Sequence, residues 1–217
     1  MNELCSSLIP RPGPSRNKPH PDNLSTLAPQ NPQHSAHVTT WKDVRNQAVI
    51  VNGTSVFVPQ LIYQPSTHAD RERYVSGVTL SPPIIFRAEG TLEWGIPLTA
   101  ALGRQINCLN DRDSLVFDGC GPSVSIRLQW PGYFSRRKQV HTTDYRSPPG
   151  LITKARLAKH IAVILRRFIQ DMENETMHED ANPAWRVGNR HITFENLMLV
   201  SLHHVSQGSW QPQLRLM

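Results

Sequence analysis

Ten basic side chains crowd one stretch of the chain: Arg127, Arg136, Arg137, Lys138, Arg146, Lys154, Arg156, Lys159, Arg166 and Arg167. Asp144 is the only carboxylate between Arg127 and Gln170. Ten cations less one carboxylate leaves +9 on this segment; the whole chain carries +6, so the remainder sums to -3. Cations gathered without counter-charges suit an anion. Nucleic-acid phosphates and the carboxylates of an acidic protein are the two partner classes this charge selects. The candidate contacts are Arg127, Arg136, Arg137, Lys138, Lys154, Arg156, Lys159, Arg166 and Arg167. Trp130, Tyr133, Phe134 and Tyr145 lie among them and could stack on bases.

Lys154 and Arg156 fall in the first turn of the helix expected there, and Asp171 and Glu173 at its end, against the sign of the helix dipole. An anion held at the helix N-terminus would offset that arrangement. A solvated face paired with nearby carboxylates would offset it equally well.

Other chemistry is thinly represented. Asp111, Asp113, Cys120 and His141 could assemble an acid–base or nucleophilic site, but their spacing fits turns and caps as well. Cys108 and Cys120 lack the short C-x-x-C type of spacing of structural zinc sites, and the adjacent His203 and His204 diverge on regular structure. Neither a Walker A loop nor a G-x-G-x-x-G segment occurs, so no cofactor is expected. The expected role is a non-enzymatic binding or regulatory module. An enzyme built from dispersed residues is the alternative.

The elements that position these groups follow from pattern. Residues 1–40 hold seven prolines and few large apolar groups; this reads as a disordered Pro-rich tail. The rest, 41–217, reads as one α+β domain with an acidic connector at 171–182. The fold expected is a mainly antiparallel sheet of hairpins packed against one long amphipathic helix at about 153–172.

Asn52-Gly53 between Val49–Val51 and Val56–Val58 signals a type I′ hairpin. Val124, Ile126, Leu128 and Trp130 alternate with polar residues, as in a half-buried strand, with Leu115–Phe117 as a partner on one side and Lys138–Thr142 on the other. From Thr153 as N-cap to Met172, the apolar residues fall within an arc of about 160° at about 100° per residue. Residues 197–216 fit either a helix and strand or a hairpin turning at Ser206–Ser209; Leu214 and Leu216 alternate, which favours the hairpin.

No apolar run nears the roughly 18–20 residues that span a bilayer. The first residues lack the basic end and apolar stretch of a signal peptide, and three cysteines suit reduced thiols. An intracellular location, cytoplasmic or nuclear, is therefore expected, without a membrane. Nothing in the pattern sets the oligomeric state.

Overall fold

The computed structural model describes residues 32–51, 56–145 and 147–217. Four α-helices lie among them: α1 (Pro32–Gln47), α2 (His68–Arg71), α3 (Leu98–Leu102) and α4 (Lys154–Met172). Six strands, β1 (Ile84–Ile85), β2 (Ile96–Pro97), β3 (Ser123–Leu128), β4 (Arg136–His141), β5 (Leu197–Ser206) and β6 (Ser209–Leu216), form one sheet. Its order is β1-β5-β6-β3-β4, with β2 also pairing with β5.

The architecture is α+β, but the sheet is mixed. β3 runs parallel to β6, with Ser125 opposite Ser209 and Ile126 opposite Trp210, while every other strand pair is antiparallel. Alternation reports which face a strand buries. It does not report which neighbour the strand takes, and here a long connection through β4 and α4 brings β6 back in the direction of β3. Nor is there one long helix: α1 has sixteen residues beside the nineteen of α4.

Two local pairings also differ from expectation. The Asn52-Gly53 turn lies outside the described residues, and its flanks do not pair with each other. Val58 donates to Leu214 O (2.9 Å) and Val56 accepts from Leu216 N (2.9 Å), beyond the point where β3 leaves β6. Val49 O instead accepts from Trp94 N at 2.7 Å. Likewise, Val116 donates to Ile152 O (3.0 Å) rather than pairing with β3, because Phe117 takes a positive φ of 68° and turns the chain away.

α4 forms where the apolar stripe requires it. Thr153 caps it, Oγ accepting from Arg156 N at 3.3 Å, and Leu157, Ala158, Ile161, Ala162, Leu165, Phe168 and Ile169 are buried. That stripe covers Val124, Ile126 and Leu128 of β3 and Leu197, Leu199 and Leu202 of β5 in one core. All ten residues of β5 are buried, so its second face is covered too. There Val200 packs with Val44 of α1 and with Phe57.

This second face is largely polar. Ser201 Oγ donates to Gln213 Oε1 (3.2 Å), and Gln213 Nε2 donates to Trp41 O (3.0 Å). Gln211 accepts from Tyr63 N (2.8 Å) and donates to Leu61 O (2.9 Å). The segment before α2 and the end of α1 are thus hung on β5 and β6 by hydrogen bonds as well as by apolar contact. Such a buried layer is stable only with its donors and acceptors matched.

The connector after α4 folds onto the turn between β3 and β4. His178 N donates to Gly132 O at 2.9 Å. Gly132 has φ +82°, and a Cβ there would stand 2.8 Å from the Ala181 Cβ and 2.4 Å from the Met177 Cε. Gly132→Ala should therefore lower stability by about 1–2 kcal/mol from the backbone alone, with crowding added, read as a lower urea midpoint. A midpoint equal to wild type would show that the connector does not lie this close.

Candidate functional site

The sheet ends at β4, and the basic residues meet there. β3 and β4 pair from Ser123–His141 to Leu128–Arg136. Ser125 N donates to Gly208 O (2.8 Å), on the β6 side. Val124, Ile126 and Leu128 therefore turn their backbone groups to β4, where they meet Val140, Lys138 and Arg136. By the same alternation, Arg137, Gln139 and His141 present backbone N–H and C=O to the open side. Among the described residues no strand pairs with β4 on that side.

The pleat divides the side chains. Val140 is buried toward α4, which puts Lys138 and Arg136 on the same face. A groove of about 520 Å³ runs between them and α4. Ile126, Leu128, Val163, Ile164 and Phe168 make its apolar part, and Arg136, Lys138, His160 and Arg167 its basic part, with Asp171 the one carboxylate among the described residues that line it. Val163 is 41% exposed. The His160 imidazole sits below its ordinary range, through burial first and then through Arg156, His141 and Lys159.

The opposite face carries Arg137 and Gln139 beside Ser125 and Arg127. Gln139 Nε2 donates to Ser125 Oγ at 3.0 Å. Arg127 Nε donates to Ser209 Oγ at 3.1 Å, and its guanidinium lies 3.5 Å from the Tyr63 ring centroid. Burial lowers the Arg127 pKa, Tyr63 opposes the shift, and Arg137, directly across the strands, adds to it. Like charges facing each other across a ladder are unfavourable unless something negative joins them. Both line a depression of about 290 Å³ with Tyr63, Asp70 and the Ser206–Ser209 turn.

The nine expected contacts therefore do not form one surface. Arg136, Lys138 and Arg167 surround the groove, while Arg137 turns to the opposite face of β4. Arg127 stands behind it. Lys159 and Arg166 are exposed on α4 but do not line it. Lys154 leaves the set: it is 8% exposed, 5.9 Å from the Phe86 ring centroid, and burial lowers its pKa against the pull of Asp111.

The N-terminus of α4 is closed to an anion. The N–H groups of Lys154, Ala155 and Arg156 go to Ser114 O (2.8 Å), Arg112 O (2.9 Å) and Thr153 Oγ (3.3 Å). The acidic connector does not neutralise the cations either. Among the described residues, no carboxylate forms an ion pair with Arg136, Arg137, Lys138, Arg156, Lys159, Arg166 or Arg167. Glu173 instead accepts from Asn189 N at 3.1 Å. Trp130 and Tyr133 are buried, which removes them as stacking platforms, whereas Phe134 and Tyr145 are 77% and 83% exposed.

The residues of the enzymatic alternative stay apart. Asp111 and Asp113 line a shallow depression with Asn107, Arg112 and Ser114, but neither Cys120 nor His141 lines it. Asp113 Oδ2 accepts from Arg112 Nε at 3.1 Å. Burial, then Asp118, pushes the Cys120 thiol up, away from thiolate chemistry.

Sequence spacing missed a histidine group. His37, His203 and His204 line a depression of about 340 Å³ with Thr79–Pro83. They converge because α1 crosses β5, a long-range contact that no local pattern signals. His204 Nδ1 accepts from Ser81 N (2.9 Å), so in the neutral ring its proton sits on Nε2, which excludes that nitrogen as a metal ligand. Among the described residues no group of three His, Cys, Asp or Glu could hold a metal ion, and no helix is long and apolar enough to cross a membrane.

No protein-family model matches the chain, and no curated protein or solved structure matches it either.

Proposed function

We propose that this protein is a non-enzymatic binding module that takes an anionic macromolecule at the edge formed by β4 and α4. One observation carries this reading. Arg136, Lys138 and Arg167 surround a single groove with apolar walls, Arg137 stands on the other face of the same strand, and among the described residues no carboxylate pairs with any of them. Uncompensated cations around a concave surface focus a positive potential and raise the local concentration of a negative partner.

The site acts by attraction and fit. Its partner is an acidic protein or a nucleic acid, met in an intracellular compartment.

The test is binding of fluorescent polyglutamate and of a single-stranded oligonucleotide, measured from 50 to 200 mM salt. At least one should bind and weaken by an order of magnitude or more over that range. The triple variant Arg136→Ala, Lys138→Ala, Arg167→Ala should lose about tenfold in affinity and show a shallower salt dependence. Arg166→Ala with Lys159→Ala, outside the groove, should change the affinity less than about threefold. Equal losses from both variants would mean that the groove has no special part.

A further inference from the structure

We infer that the occupant of this site is an acidic polypeptide segment in extended conformation, which joins the sheet as a new strand along the open side of β4. The inference rests on the anionic-partner reading above and chooses between its two classes.

Two observations favour a strand over a nucleic acid. First, Arg137 and Gln139 hold backbone donors and acceptors in the plane of the sheet, with no partner strand among the described residues. Only another polypeptide backbone repeats such groups at the matching spacing. Second, the cations stand on both faces of β4: Arg136 and Lys138 toward α4, Arg137 away from it. A nucleic acid lying on one face would meet only one of the two sets. A strand added in the plane of the sheet sends successive side chains to alternate faces and meets both sets.

The groove extends the argument to the segment's sequence. Residues that the added strand directs toward α4 meet Val163 and Ile164 as well as Arg136, Lys138 and Arg167, so apolar and acidic side chains both have places there. Those directed the other way approach Arg137, itself opposed by Arg127, and should be Glu or Asp. The partner is therefore an acidic stretch without proline, with apolar residues at some of the positions that face α4. The same cations repel basic strands, which would otherwise pair with an open edge as readily as acidic ones.

The experiment uses the full chain and a labelled ten-residue peptide of Glu with Val at every fourth position, followed by fluorescence anisotropy. Binding should weaken about tenfold with Arg137→Glu and again with Val163→Asp, each at an exposed position where circular dichroism can verify the fold. N-methylation of one alternate set of peptide amides should weaken binding about tenfold, while N-methylation of the other set changes it little. If both methylated peptides bind like the parent, strand addition is wrong while the anionic-partner reading stands. If the oligonucleotide binds and the peptide does not, the polypeptide assignment is wrong, again without touching that reading. If neither binds, both fail, and the cations serve only to guard an exposed edge.

Discussion

Arg215→Ala should be among the most damaging single substitutions, costing about 3–5 kcal/mol of stability. The side chain has no exposure at all. It reaches across the covered face of β6 to donate to a Glu93 carboxylate oxygen, to Trp94 O at 3.4 Å and to Leu216 O at 3.2 Å. Glu93 is 18% exposed, so truncating its partner strands a carboxylate with little water to replace the guanidinium. Removing one member of such a pair costs far more than the pair contributes, because the desolvation is still borne by the other.

The double variant Arg215→Met, Glu93→Leu removes both charges and should recover about half or more of the loss. Urea midpoints at an unchanged slope would measure both. Equal destabilisation of the double and the single variant would locate the loss in packing rather than in the stranded charge. Arg215 is also where the cover is pinned, since Glu93 and Trp94 belong to the loop that Arg87 closes by bridging to Trp94 and Gly95.

Arg215 shows why part of the fold was legible in the sequence and part was not. Trp210, Leu214 and Leu216 alternate with Gln211, Gln213 and Arg215, so period-2 reading finds the strand and its core face. It also assigns the polar set to solvent. In the fold that set is buried, because α1 and the segment around Leu61 cross over it and exchange hydrogen bonds with it. Nothing local distinguishes a polar residue matched inside from one wet outside. α4 was readable for the opposite reason. Its stripe is apolar throughout, and one face of a helix must be buried whatever covers it.

The candidate site divides along the same line. The concentration of charge between residues 127 and 170 is a property of composition, and so is the β4 sequence Arg136-Arg-Lys138. Which cations face each other is a property of topology. Lys154 drops out because Ser114 and Arg112 cap the helix beside it and Phe86 packs against its ammonium. Arg127 and Arg137 come to oppose each other through a register no spacing rule states. The open strand edge depends on β4 being last in the sheet, and strand order is set by long connections.

Acid should loosen the fold before the carboxylates titrate. His203 is 1% exposed, its ring lies 4.8 Å from that of Trp41, and its Nε2 is 2.9 Å from Ser201 Oγ. Burial, helped by nearby His37 and opposed by Gln213, pushes its pKa down to about 3. Burial also lowers His204 and His160. An unfolded histidine takes up its proton near pH 6.5. Between that pH and about 3, the unfolded chain thus binds a proton that His203 in the fold refuses. Stability is full above the unfolded value and is lost as pH falls through this window. The slope from His203 alone approaches about 1.4 kcal/mol per pH unit, with His204 and His160 acting in the same direction. Urea unfolding at pH 7, 6 and 5, above the main carboxylate range, should show it. His203→Gln removes the titrating ring while keeping a polar group near Ser201. It should lower stability at pH 7 yet flatten the decline toward pH 5 by about one proton's worth. An unchanged slope in that variant would show that His203 is protonated in the fold, and that the layer between α1 and the sheet is open to water.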